Sequence, residues 1–141
     1  MANRCDFSMI IRGRAADVDT FYRYLTDYDG SPKYFARIFS ADIDGASRAE
    51  DGTRTLRVSG DCAWSVYSCM CDGSHTYYGD DETGKLTCLR DATEELHLEV
   101  EVRSTEPGLN FWEHFWYKDG ECLCDEAGEL PSSGFEMERC A

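Results

Sequence analysis

Leu98-Glu99-Val100-Glu101-Val102-Arg103-Ser104 opens the run that decides the fold. Leu98, Val100 and Val102 alternate with Glu99, Glu101 and Arg103. A period of two predicts a half-buried strand over 97–104. Glu106-Pro107-Gly108 follows as a turn cluster. Residues 109–118 are β-prone and aromatic, with Phe111, Trp112, Phe115, Trp116 and Tyr117. Asp119-Gly120 is a two-residue hairpin signal. Residues 121–125 then return as the last strand. Strands joined by such tight turns pair antiparallel.

Upstream, the period changes twice. Cys5, Phe7, Met9 and Ile11 share one face of a strand over 4–12, which Gly13 ends. Val18, Phe21, Tyr22, Leu25 and Tyr28 form one stripe of an amphipathic helix over 16–28. Asp29-Gly30-Ser31-Pro32 stops it. Residues 33–43 read as a second strand, 44–52 as a loop, and 53–59 as a third strand through Leu56 and Val58. Ala63, Val66, Tyr67 and Met70 fit a helix over 62–71 with Asp61 as its cap. Residues 72–85 read as a loop. Thr87 caps a short helix through Leu89, Ala92, Thr93 and Leu96, with Glu94 and Glu95 on its exposed side.

The resulting order is β-α-β-β-α-α-β-β-β. It predicts an α+β fold: an antiparallel sheet with two or three helices on one face. The inner β-α-β-β-α-β segment has the ferredoxin-like order, with an added C-terminal hairpin. No repeat or linker interrupts the chain, so residues 1–126 read as a single domain and 127–141 as a polar C-terminal tail.

Two readings of 109–118 remain open. Trp112, His114 and Trp116 share one face, and Phe111, Glu113, Phe115 and Tyr117 the other. If the second face is the core, Glu113 needs hydrogen-bond partners, because an unpaired buried carboxylate is costly. If the first is, two tryptophans are buried and His114 must be satisfied. An exposed aromatic face would mark a contact site, with Trp112, His114 and Trp116 as its candidates.

Charge narrows the partners. The formal net charge is −14, and 42% hydrophobic content suits a folded chain rather than a disordered one. Residues 1–70 carry 9 basic and 10 acidic side chains, whereas 71–141 carry 5 and 18. Such a surface disfavours direct contact with nucleic acid or an anionic membrane, where Lys and Arg must meet phosphate. It leaves basic protein surfaces and metal cations as partners. No stretch of about 18 apolar residues predicts a spanning helix, and Met1-Ala2-Asn3-Arg4 opens no secretory signal. The expected location is cytoplasmic.

Eight cysteines in 141 residues fall below the roughly 8–10% of a disulfide scaffold. The Cys69/Cys71 and Cys122/Cys124 pairs have one intervening residue, short of the two to four usual at structural zinc. Buried free thiols are therefore expected, with no metal and no cofactor. No phosphate-binding glycine loop, zinc-protease, deaminase or nucleophile-elbow motif occurs. A Cys62–His114 nucleophile pair can be drawn but has no motif behind it. No enzymatic activity is expected.

Met1-Ala2-Asn3-Arg4-Cys5, the Ser59-Gly60-Asp61-Cys62-Ala63-Trp64-Ser65-Val66 box, the stretch Glu106-Pro107-Gly108 to Phe111, Glu113 and His114, and the Lys118-Asp119-Gly120-Glu121 hairpin resemble the YubB-type ferredoxin-like proteins of phages, plasmids and integrative elements. The resemblance spans residues 1–125, with Arg4 and Trp112 departing from the pattern. It implies the fold and a mobile-element context, and it assigns no catalytic residue.

Together these imply a small acidic protein that binds and inhibits a host nucleic-acid-handling defence complex, of anti-CRISPR or anti-restriction type. Nucleic-acid mimicry is part of that expectation. Glu99 and Glu101 stand about 6.6–6.8 Å apart along their strand, near two phosphate steps of about 3.4 Å each. Asp80, Asp81, Glu82, Glu94, Glu95, Glu121, Asp125 and Glu126 extend the acidic surface. The alternative is a binding protein with a small-molecule pocket between sheet and helices, lined by Trp64, Tyr67, Tyr77 and Tyr78.

Overall fold

The computed structural model describes residues 3–71 and 84–131. Six strands form one antiparallel sheet: β1 (Arg4–Arg14), β2 (Ile38–Arg48), β3 (Thr53–Ala63), β4 (Glu99–Glu106), β5 (Phe111–Lys118) and β6 (Glu121–Glu129). Their order across the sheet is β2-β3-β1-β4-β5-β6. Among the described residues three helices lie between strands: α1 (Ala15–Thr26), α2 (Val66–Met70) and α3 (Leu89–Leu96). The fold is α+β, and the element order is the expected one.

The alternation in β1 and β4 does the sorting. Cys5, Phe7, Met9 and Ile11 of β1 are buried, as are Val100 and Val102 of β4. Cross-strand partners share a face, so Met9 meets Val58 and Val102 in one layer. Against that layer α1 places Val18, Phe21, Tyr24 and Leu25. Phe21 meets Phe35 at 5.3 Å between ring centroids. α1 packs over β1 to β3 and α3 over β4 to β6.

Several boundaries differ from expectation. Residues 33–37 are not strand: Tyr34 makes an isolated bridge to Leu86, and Arg37 has φ of 50°. β2 instead runs from Ile38 to Arg48, through the expected loop. Bulges at Ile38/Ser40 and Ile43/Gly45 put two residues opposite one. That breaks the period-two pattern and leaves Ile43 exposed.

The helix expected over 62–71 begins only at Val66, because Cys62 and Ala63 extend β3 opposite Cys5 and Arg4. Trp64, at φ 66°, breaks the strand. Ser65, not Asp61, caps α2 by accepting from the Ser68 N–H at 3.0 Å. Asp61 is engaged on the strand by Arg4 and Ser40. Thr87 does not cap α3; the capping position is Cys88 and makes no side-chain cap bond.

β6 continues past 125 to Glu129, and Leu130 is buried with its N–H on the Asn110 carbonyl. An edge strand can pair through its backbone with little apolar side chain, which is why 127–129 read as tail. Residues 132–141 and most of the expected 72–85 loop lie outside the described residues.

Candidate functional site

β5 resolves the open choice of faces. Glu113, Phe115 and Tyr117 are buried on the helix side. Trp112, His114 and Trp116 are half-buried on the opposite side, which no helix covers among the described residues. Their neighbours there follow from register: Glu101 opposite Trp116 and Ile10, Arg103 opposite His114 and Ser8, Glu99 opposite Arg12.

β6 adds the decisive part. From the Asp119-Gly120 turn, Lys118 pairs with Glu121 and Tyr117 with Cys122. A bulge then shifts the register, so Trp116 faces Cys124 and His114 faces Glu126. Without that extra residue, Cys124 and Glu126 would point to the helix side. With it, Cys122 packs against the core while Cys124 joins His114 on the open face. The two cysteines are therefore not a ligand pair.

A polar chain crosses this face. The His114 Nε2 lies 2.7 Å from Glu101 Oε2, and Nδ1 lies 3.3 Å from Cys124 Sγ. An ionised carboxylate can only accept, so in the neutral ring Nε2 carries the proton and Nδ1 turns its lone pair to sulfur. Trp116 Nε1–H donates to Glu99 Oε2 at 2.9 Å. Arg103 lies 3.6 Å from Glu101, and Arg12 lies 3.8 Å from Glu99. Desolvation, then the charge of Glu126, pushes the Cys124 thiol up from its ordinary value. A protonated thiol is not an activated nucleophile.

Cys62 and His114 lie on opposite faces of the sheet, so that pair does not exist. Cys62 is buried, and hydrogen bonding with Cys5 and Cys69, with burial, holds its thiol protonated. Glu113 anchors α2. It accepts from the Val66 N–H at 2.8 Å, the Tyr67 N–H at 3.1 Å and the Ser104 hydroxyl at 2.7 Å.

The predicted acidic residues divide into three groups. Glu99 and Glu101 are tied to Trp116 and His114, which takes two carboxylates out of free display. Glu94 and Glu95 lie exposed on α3. Glu121, Asp125 and Glu126 are exposed along β6. Glu94 stands beside the Gly120 turn, which joins α3 to the start of β6. Glu95 pairs with Lys33 at 3.5 Å. Glu94, Glu121, Asp125 and Glu126 have no ion-pair partner among the described residues. Asp80, Asp81 and Glu82 lie outside the described residues.

The pocket residues Trp64 and Tyr67 are largely exposed, and Tyr77 and Tyr78 lie outside the described residues. A groove of about 410 Å³ lies elsewhere, at one end of β1, β4 and β5, lined by Phe7, Ser104, Trp112, Glu113 and Leu130 among others.

Comparisons with protein-family models, curated proteins and solved structures found no match. The site therefore stands on its own geometry. Among the described residues, no helix is long and apolar enough to cross a membrane. Sequence reasoning missed Cys124 and Glu126 as neighbours of His114. The hairpin turn predicts their pairing only to within the one-residue bulge, and that residue decides the face.

Proposed function

We propose that this chain is a non-enzymatic docking protein that engages a basic protein surface through its acidic β6 edge and the adjoining end of α3. The observation that supports this is the set of four exposed carboxylates, Glu94, Glu121, Asp125 and Glu126, which have no ion-pair partner among the described residues and lie along or beside an edge strand. Charge of one sign on a folded surface raises the encounter rate with an oppositely charged groove. Grooves built to hold phosphate are the most basic surfaces a cell offers, so the partner class is a nucleic-acid-handling nuclease of CRISPR or restriction type. The resemblance to YubB-type mobile-element proteins favours that class and a cytoplasmic setting. The ferredoxin-like reading of the fold is supported by the β-α-β-β-α-β order with β1 between β3 and β4, and β5–β6 added beyond it.

Mimicry here belongs to the β6 edge more than to Glu99 and Glu101. Glu94→Lys, Glu121→Lys and Asp125→Lys together are expected to slow association with a purified nuclease complex by about 10-fold or more at low salt. Raising salt should weaken the wild type and leave the triple variant little changed. Surface plasmon resonance at two salt concentrations, with duplex DNA as competitor, reads both effects. Binding that ignores salt, charge reversal and DNA alike would sink this reading. Reversing Glu99 or Glu101 is the poorer test, since it also frees Trp116 or His114.

A second reading, small-molecule binding, draws on the groove beside Trp112. Its lining sets Phe7, Trp112, Leu130 and Pro131 beside polar residues, of which the buried Glu113 and Ser104 bond each other. An apolar ligand retained in native mass spectra and lost on Trp112→Ala would favour it.

A further inference from the structure

We propose that His114, Cys124 and Glu126 form a binding site for a divalent transition-metal ion of the zinc type, with Glu101 as the positioning residue. The inference shares only Glu126 with the docking reading and has a separate test: it concerns donors on the β4–β5–β6 face and is read by metal binding, not by association with a partner.

The donors converge. One ligand atom from each residue, His114 Nδ1, Cys124 Sγ and a Glu126 carboxylate oxygen, lies within 4.8 Å of the other two. Zinc bonds of about 2.3 Å to sulfur and about 2.0–2.2 Å to nitrogen and oxygen put tetrahedral donors roughly 3.3–3.6 Å apart. The sulfur–Nδ1 separation of 3.3 Å lies within a few tenths of an ångström of the roughly 3.5–3.6 Å that these bonds give a sulfur–nitrogen pair. Glu126 is exposed and can close the remaining distance by turning about its side chain.

The second observation lies behind the ring. A metal-binding histidine needs its other N–H held so that the lone pair points at the ion, and a carboxylate is the usual holder. Glu101 does this at 2.7 Å from Nε2. Its own position is shared with Arg103 at 3.6 Å. Nδ1 is thus aimed between Cys124 and Glu126 by a residue on a different strand. The backbone cooperates, because the β6 bulge brings both residues to this face.

The donor set selects the metal. A thiolate with an imidazole and one carboxylate suits zinc or cobalt, while magnesium and calcium require mainly oxygen. Three protein donors leave a fourth position for water or a partner's side chain. On coordination the Cys124 S–H proton leaves to solvent and the sulfur bonds the ion as thiolate.

The full reduced chain titrated with cobalt(II) tests this. A saturable thiolate-to-cobalt charge-transfer band is expected, bleached by zinc and unaffected by excess magnesium. Cys124→Ser should abolish the band, and Cys122→Ser, on the core side of the same strand, should keep it. Glu101→Ala leaves all three donors in place and should weaken zinc binding by about 10–100-fold. Circular dichroism confirms that each variant is folded. A folded wild type without the band, or a band that survives Cys124→Ser, overturns the site. Unchanged zinc affinity in Glu101→Ala overturns the positioning role.

Discussion

Glu113→Ala is expected to lower the unfolding free energy by about 3–5 kcal/mol. Glu113 is only 4% exposed, and among the described residues it makes no ion pair. It is held by donors instead: the Val66 and Tyr67 N–H groups, the Ser104 hydroxyl and, at 3.8 Å, the Cys5 thiol. The two N–H groups begin α2, where the first turn of a helix offers them no carbonyl of its own. Alanine would take the acceptor away from these donors and leave a void where the side chain stood. Glu113→Gln keeps the shape but presents an NH₂ group to one set of donors, so an intermediate loss is expected. Urea denaturation followed by circular dichroism reads both as a fall in midpoint at constant slope. A loss below about 1 kcal/mol for the alanine variant would show that α2 is held by its apolar contacts and not by Glu113.

Glu113 also shows where reading the sequence succeeds and where it stops. Period two placed Glu113 opposite His114, and chemistry required partners if it were buried. Two of those partners, in a helix 46 and 47 positions away, could not be named from spacing. The same limit applies elsewhere. β1 and β4 were legible because each buries one face and displays the other, so apolar and polar residues alternate through Cys5–Ile11, with Ile10 the exception, and through Leu98–Arg103. β2 was misplaced because two bulges and an exposed Ile43 destroy that alternation at a sheet edge. α2 was extended too far because Ala63, Val66 and Met70 fit helical spacing although β1 claims residues 62 and 63 for the sheet. Propensity and spacing are local, and strand pairing overrides them.

The site divides in the same way. The shared face of Trp112, His114 and Trp116 was legible, as was the exposure of Glu94 and Glu95. The engagement of Glu99 and Glu101 was not, because it depends on which strand lies beside β4. Cys122 and Cys124 look like a pair in sequence, but one bulged residue sends them to opposite faces. The acidic half of the chain accordingly becomes two structures with different roles. Glu99 and Glu101 organise the open face, while Glu94, Glu121, Asp125 and Glu126 line an edge.

Gly60→Ala should be the second severe substitution, with an expected cost of about 2–4 kcal/mol. Gly60 stands opposite Phe7 on β1 and Ala41 on β2. At this point the Ile38/Ser40 bulge presses the β2 backbone onto β3. A Cβ on Gly60 would run into the Ser40 carbonyl oxygen and lie 2.8 Å from its carbon and 3.0 Å from Ala41 Cα. These are backbone atoms, so no rotamer change relieves the contact. Either β2 moves outward, breaking its ladder to β3, or the bulge is lost and the strand slips by one residue. A slip would send the buried Ile38 and Ala41 to the wrong face. The control is close at hand: Gly45 lies at the other bulge of the same strand, where an added Cβ meets nothing within 4 Å. Gly45→Ala should therefore be neutral or slightly stabilising, through the smaller entropy lost on folding. Thermal melts of the two variants side by side separate close approach from bulge geometry. Equal losses would mean that both bulges need glycine for backbone freedom, and that contact with Ser40 is not what excludes a side chain at position 60.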